Sequence, residues 1–238
     1  MKNQLRENLK QVKHYQNHPQ MRPFIGDNYG ETYKKLLIVA ESHYISNCDE
    51  NSIPRDSDEY SNTLKNWYDI KMTDLKDYDI KWTNTSNIIY YSNLIDDKNP
   101  QCHKIHSNIN SVLKGSKISK QNSDDKLFKH IAFMNFFQKP ARDRDSINPI
   151  NKDIEIANET LFEVAEILKP DFIFIVSSKA YDYLDKGKFK NYTIGHSSHP
   201  NSPSWNKKCK KYTNVNKRDE LSGRESFADF VTFHEIFK

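Results

Sequence analysis

The chain contains three short apolar runs: KLLIVA (residues 35–40), IAFMNFF (131–137) and DFIFIVSS (171–178). Continuous runs of this length, rich in Ile, Val and Phe, are typical of strands covered on both faces, as in a parallel sheet between helices. A weaker run, KNYTIG (190–195), is a fourth candidate. The pattern therefore predicts an α/β fold of three α/β/α layers, with a short, mainly parallel sheet of four strands.

Two segments have the periodicity of amphipathic helices. In NKDIEIANETLFEVAEILKP (151–170), apolar residues recur at helical spacing: Ile154, Ala157, Leu161, Val164 and Leu168. Asn151 suits the N-cap and Pro170 follows the end, so this segment predicts a crossover helix between two strands. A closing helix is predicted over about residues 219–237, with these residues facing inward: Phe227, Phe230, Val231 and Phe237.

The long stretch after the first apolar run is helical in pattern. Residues 45–130 include NTLKNWYDIKMTDLKDYDIKW and INSVLKG, and they contain no strong strand signal. A chain of 238 residues can bury one sizeable core. We therefore predict a single domain over residues 1–238 with a helical insertion at 45–130.

Charge and cysteine content bear on the partners, the metal sites and the location of the protein. Lys and Arg total 36 against 32 for Asp and Glu, which permits a polyanionic partner without requiring one. Cys48, Cys102 and Cys209 are scattered without a CxxC pair, which argues against a disulfide framework and against a zinc or iron–sulfur site built from cysteines. No run approaches the roughly 20 apolar residues that cross a bilayer. These features predict a cytoplasmic protein with no membrane partner.

Polar segments follow three of the predicted strands. The first run continues into ESHY (41–44), the second carries Asn135 at its end and continues into QKPARDR (138–144), and the fourth leads into IGHSSHPNSPSW (194–205). In open α/β sheets, ligands bind beyond the carboxyl ends of the strands. We therefore expect these segments to converge on one site.

In this order, LLIVAESHY, FMNFFQKPARDR, LKPDFIFIVSSKAYDYL and HPNSP resemble the uracil-DNA glycosylase superfamily in four segments between about residues 36 and 203. The resemblance implies that Glu41 and Ser42 position a catalytic water. It further implies that Tyr44 limits the base pocket, that Asn135 reads the pyrimidine edge and that His199 faces the base O2.

The chain departs from that family pattern at three positions. Ala40 replaces the usual glycine, Ser42 stands where the most active members have aspartate, and His43 replaces a proline. These departures bear on rate and substrate more than on fold. The aromatic residue that stacks on the base is left open among four candidates: Tyr44, Tyr60, Trp67 and Phe136.

Cleavage of an N-glycosidic bond makes the sugar cation-like and the base anionic. Catalysis therefore needs a negative charge, an oriented water and a donor at the base oxygen, but no cofactor. Glu41 could supply the charge with Ser42 as a second contact, and His199 could supply the donor. Glu41 and Asn135 could instead be a solvated carboxylate and a structural amide. His196 and His199 could be metal ligands only with further convergent ligands.

Extraction of a base from the stack also requires phosphate contacts and an apolar wedge. The basic stretch NKKCKKYTNVNKR (206–218) is either a solvated face or a phosphate grip. Pro203 or Trp205 could act as the wedge. The residues predicted to contact DNA are Lys139, Arg142, Arg144, Ser198, Asn201, Ser202, Trp205, Lys207 and Lys208.

The leading hypothesis is a monomeric DNA glycosylase that hydrolyses the base–sugar bond of a flipped nucleotide and leaves an abasic site. The resemblance implies uracil as the default base, and a modified pyrimidine, such as a hypermodified cytosine of phage DNA, would indicate a defence role. Two other classes stay open. One is a glycosylase-like module that binds DNA without catalysis, and the other is a hydrolase of unrelated small substrates.

Overall fold

The structure, a computed structural model, describes residues 2–48, 53–91, 104–116, 126–142, 145–213 and 219–238. In this part of the chain the α-helices are α1 (Lys2–Leu9), α2 (Lys13–Asn17), α3 (Ser57–Lys65), α4 (Asp77–Thr83), α5 (Thr85–Tyr91), α6 (Lys104–Gly115), α7 (Asn151–Leu168), α8 (Ser178–Asp182) and α9 (Gly223–Phe233). The strands are β1 (Phe24–Ile25), β2 (Leu36–Ile45), β3 (Ile131–Arg142), β4 (Phe172–Ile175), β5 (Thr193–His196), β6 (Cys209–Thr213) and β7 (Glu220–Leu221).

The main sheet has five strands in the order β1-β3-β2-β4-β5, and β6 and β7 form a separate hairpin. β2, β4 and β5 are parallel, with Leu36 opposite Phe172 and Phe172 opposite Thr193, whereas β1 is antiparallel to β3. The α/β class and the mainly parallel sheet are thus confirmed. The sheet has five strands rather than four, because the two-residue β1 is too short to produce a pattern.

β2 and β3 extend beyond their apolar runs. Glu41, Ser42 and Tyr44 lie within β2, and Lys139 and Arg142 lie within β3, not in the loops where they were expected. In addition, Asn135 lies in the first half of β3 rather than at its end. The side chains of β2 are buried except for the half-buried Tyr44. Buried backbone needs hydrogen-bond partners, and an extended strand provides them.

The two predicted long helices are present with shifted ends. α7 begins at Asn151, which is its first helical residue instead of its N-cap, and its predicted inward residues are buried except the half-buried Ile154. α9 is shorter than expected because Ser222 caps it, exchanging hydrogen bonds with Glu225 in a capping box, and Glu220–Leu221 before it is a strand. The four predicted inward residues near α9 are buried.

The chain divides into two compact units. The first comprises Met1–Pro23, Ser42–Ile88 and Asn135–Leu168, and the second comprises Phe24–Glu41, Ile89–Met134 and Lys169–Lys238. The strand pairs described above lie in the second unit, and β2 and β3 continue from it into the first. The predicted insertion at 45–130 contains α3 to α6 and is shared between both units.

Aromatic side chains dominate the core of the second unit. Phe174 of β4 packs against Phe227 and Phe230 of α9, with ring centroids 4.4 and 5.1 Å apart. Gly195 is required in β5 because an added Cβ would lie 2.5 Å from a carbon of the Phe230 ring. No helix in the described part of the chain is long and apolar enough to span a membrane.

Candidate active site

Glu41 is a buried carboxylate held by a serine. It lies in β2, and one of its oxygens, Oε2, accepts a hydrogen bond from the Ser177 hydroxyl at 2.8 Å. Ser177 is also the N-cap of α8, where its oxygen accepts the Ala180 N–H at 3.1 Å. The Ser177 hydroxyl therefore cannot rotate freely, and it fixes the orientation of the carboxylate.

His199 lies in the loop after β5, in the same unit as Glu41. Its Nδ1 accepts the Asn201 N–H at 3.2 Å, so the neutral ring carries its proton on Nε2. Burial lowers the pKa of His199, and the negative charge of Glu41 opposes that effect. The imidazole is therefore neutral near pH 7 and presents an N–H donor.

The loop that carries His199 is braced from two helices. The Asn108 amide of α6 donates to the Pro200 carbonyl at 2.8 Å. On the α9 side, an added Cβ at Gly223 would collide with the Ser198 hydroxyl, so the helix start and the loop are in close contact. The Ser226 hydroxyl of α9 donates to the His196 carbonyl at 3.1 Å. These contacts make the loop a rigid support for an imidazole.

Sequence reasoning missed Ser177 and Asn108. Ser177 ends an apolar run, where serine is an ordinary N-cap, and Asn108 lies in a helix with no motif around it. Both act on residues that are remote along the chain. Only the fold brings these partners together, so no local pattern could have identified them.

Ser42 and Tyr44 belong to the first unit. Ser42 is buried, and its hydroxyl has no hydrogen-bond partner among the described residues. Between them, His43 donates from Nε2 to the Thr85 hydroxyl, because that hydroxyl itself donates to the Met21 carbonyl. Burial lowers the pKa of His43 to about 3. His43 is thus a neutral, hydrogen-bonded imidazole in the core.

Asn135 and Phe136 also belong to the first unit. The Asn135 side chain is 8% exposed, and its amide forms no hydrogen bond with any described residue. Gln138 donates to the backbone carbonyls of both residues, at 2.7 and 3.1 Å. Phe136 is fully buried against Phe137. The Asn135 amide is therefore not used to cap the backbone.

The predicted DNA contacts on β3 differ in their surroundings. The Lys139 ammonium lies 2.9 Å from the buried Asp153 carboxylate, so it is already engaged in an ion pair. Arg142 is exposed, with its guanidinium 5.7 Å from the centre of the Tyr60 ring and 3.2 Å from the Ser61 hydroxyl. Arg144 lies outside the described residues.

The predicted contacts after β5 also differ in exposure. Ser198 is buried, and its hydroxyl has no partner among the described residues. Trp205 is 1% exposed and belongs to the core of the second unit, whereas Pro203 is exposed. Ser202 is half-buried, and three contacts are exposed: Asn201, Lys207 and Lys208. Residues 214–218 of the basic stretch lie outside the described residues.

A metal centre finds no support in the described part of the chain, where no group of three or more His, Cys, Asp or Glu side chains could hold an ion. His196 instead stacks on Tyr181, with ring centroids 3.7 Å apart. His196 and His199 therefore have no third ligand among the described residues.

The chain was also compared with known proteins. No protein-family model matches it, and a search of curated proteins finds no match. The chemistry of the residues described above is therefore the basis for a proposed function.

Proposed function

We propose that the protein is a DNA glycosylase that hydrolyses the N-glycosidic bond of a flipped base and leaves an abasic site. One observation carries this proposal. In the second unit, the buried Glu41 carboxylate, held by Ser177, acts electrostatically on the neutral His199 imidazole. A fixed negative charge and a fixed neutral donor are the two groups that this reaction needs.

The proposed chemistry follows the charge that develops as the bond breaks. The sugar becomes cation-like, and the Glu41 carboxylate stabilises it and orients the attacking water. The base leaves with the bonding electron pair, and the His199 N–H stabilises the charge on its oxygen. Water adds to C1′ and gives up a proton, and the released base takes one up. The balanced result is a free base and an abasic site.

The substrate within this proposal is uracil or a modified pyrimidine, including the hypermodified cytosines of phage DNA. Recognition of a pyrimidine edge by the Asn135 amide stays a prediction, made because an amide offers both a donor and an acceptor. That property suits several bases and does not select one. The roles of Tyr44 and Phe136 next to the base stay predictions.

The proposed function also concerns the fold, the oligomeric state, the partner and the location of the protein. We infer a three-layer α/β/α arrangement, a monomeric chain, DNA as the partner, a cytoplasmic location and no cofactor. Because Trp205 is buried, the wedge assigned here is Pro203. Exposure supports Arg142, Lys207 and Lys208 as phosphate contacts.

The test measures abasic-site formation on a uracil-containing duplex and on hypermodified phage DNA. The parent protein is expected to release a base from at least one of them. Glu41→Gln keeps the side-chain volume but removes the charge, so the rate should fall by about 100- to 1,000-fold. Glu163→Gln is the matched control, since Glu163 lies in the first unit and accepts the Lys13 N–H. No release from either DNA would contradict the proposal.

The non-catalytic alternative predicts a different outcome. The parent protein would then bind DNA without releasing a base, and Glu41→Gln and His199→Ala would bind as tightly as the parent. Fluorescence anisotropy with a labelled duplex distinguishes the two cases. Failure to bind DNA at low salt would favour the hydrolase of small substrates instead.

A further inference from the structure

A second lysine-rich segment lies in the second unit, beside residues 206–213 of the basic stretch. Residues 179–190, KAYDYLDKGKFK, contain four lysines and two aspartates, and residues 206–213, NKKCKKYT, contain four lysines and no acid. The first of these segments spans part of α8 and the connection to β5, and the second includes β6. They are separate in sequence, and residues 179–190 were not among the predicted DNA contacts.

A packed group of aromatic rings joins the two segments. His196, at the end of β5, stacks on Tyr181 of α8 with ring centroids 3.7 Å apart and planes inclined by 4°. Tyr212 of β6 meets the edge of the same imidazole at 5.7 Å, and its hydroxyl hydrogen bonds with Ser178. The two segments are therefore held at a defined separation.

Lysines from both segments lie around this group. The Lys186 ammonium is 4.6 Å from the centre of the Tyr181 ring, and the Lys211 ammonium is 3.2 Å from the Asp182 carboxylate. Burial lowers the pKa of His196 to about 4, and the positive charges of Lys211 and Lys186 contribute to this shift. The imidazole is therefore neutral near pH 7, and the charge of this surface comes from its lysines.

We propose that these two segments form one cationic surface that binds the phosphate backbone of DNA next to the loop that carries His199. This inference rests on the proposed function and extends its DNA contacts to residues 186–190. Three lysines of that connection are exposed: Lys186, Lys188 and Lys190.

The chemistry of the surface favours a phosphate backbone over a specific base edge. Lysine ammonium groups act as point charges on flexible stems, so they suit phosphates spaced along a strand. The two acids of residues 179–190 are engaged locally: Asp182 pairs with Lys211, and Asp185 accepts the N–H groups of Gly187 and Lys188. The remaining excess of lysines matches a polyanion.

The test is a double substitution, Lys186→Gln with Lys190→Gln, neither of which lies in the proposed catalytic group. Binding to a labelled duplex of ordinary bases is measured by anisotropy over a range of NaCl concentrations. Loss of two phosphate contacts should reduce the slope of log K against log salt by about 2 and weaken binding roughly tenfold. The Lys186→Arg, Lys190→Arg variant keeps both charges and should bind like the parent.

The matched control is Lys65→Gln with Lys114→Gln, which removes two exposed charges from α3 and α6. It should leave affinity and salt slope unchanged. Equal losses in both double variants, or no loss in the first, would overturn the proposed surface while DNA binding by the parent stands. If the parent itself fails to bind DNA, the proposed function fails as well. Tighter binding to an RNA of equal length would also overturn the assignment to DNA.

Discussion

Two groups of wholly or partly buried histidines, one in each unit, differ in what surrounds them. In the first unit, His14 stacks on His18 at 4.9 Å, and His18 stacks on Trp67 at 4.5 Å. His18 donates from Nε2 to the Trp67 carbonyl. Burial lowers the pKa of His14 to about 3 and that of His18 to about 4. These imidazoles are neutral members of a ring stack.

His199, in the second unit, is half-buried and also neutral, but it has two further partners. The Asn201 N–H fixes its tautomer, and the charge of Glu41 acts on its ring. The histidine pair of the first unit lines a surface pocket of about 220 Å³ whose lining carries both lysines and carboxylates, so that pocket favours no ligand charge. In the proposed function, the carboxylate and the fixed tautomer, rather than burial alone, suit His199 to a chemical role.

The largest expected effect separates the two groups directly. His199→Ala removes the proposed donor to the leaving base, so the rate of base release should fall by about 100- to 1,000-fold. His14→Phe keeps a flat ring in the stack and should release base at the parent rate. Both are measured by abasic-site formation under single-turnover conditions. Similar losses in the two variants would contradict a specific role for His199.

Ser177→Ala tests whether the orientation of Glu41 matters. A hydrogen bond to a charged group contributes about 1.5–3 kcal/mol, so kcat should fall at least about tenfold with little change in KM. Ser222→Ala is the control, because it removes the N-cap of α9 in the same way that Ser177→Ala removes the N-cap of α8. Loss of either cap should lower the stability by about 1 kcal/mol. If both variants keep the parent kcat, Ser177 is only a helix cap.

The pH dependence of stability tests the histidine stack. The pKa of His14 is about 3 in the folded chain and 6.5 in the unfolded chain, so below pH 6.5 the unfolded state binds the extra proton. Stability is therefore lost as pH falls from 6.5 towards 3, by about 1.4 kcal/mol per pH unit for this histidine. Urea unfolding at pH 7, 6 and 5 should show a shallower loss for His14→Phe. An unchanged dependence would contradict this assignment.

The smallest expected effect concerns the loop that supports His199. Asn108→Ala removes the amide that donates to Pro200 and should lower kcat/KM a few-fold, since a neutral hydrogen bond contributes about 1 kcal/mol. Hydrogen exchange of residues 197–205 should become faster. Asn8→Ala, on the exposed face of α1, is the control and should change neither measurement. Equal exchange in both variants would show that Asn108 does not brace the loop.

The apolar runs predicted the strands because β2, β3 and β4 are buried on both faces, which leaves little room for polar positions. The same pattern predicted too early an end for β2. A strand predicted from apolar residues alone ends before Glu41. In the structure Glu41 is buried and hydrogen bonded, and β2 continues through it. Buried polar residues with remote partners break the pattern without breaking the strand.

The candidate site was predictable only in part for a related reason. Glu41 and His199 follow apolar runs in the sequence, and their position relative to those runs made them candidates. Ser177 and Asn108 became recognisable only through the residues they contact. Trp205 was predicted to contact DNA because it is an aromatic residue in a polar loop. In the structure its side chain lies in the core of the second unit.

Each unit is assembled from three separate stretches of chain, and this has a consequence for biosynthesis. β2 is an apolar strand that pairs with β4. Its backbone therefore has no hydrogen-bond partner along that edge until residues 172–175 have left the ribosome. A nascent chain must therefore keep a hydrophobic strand shielded while residues 46–171 are translated. For the same reason, no single cut divides the polypeptide into fragments that match either unit.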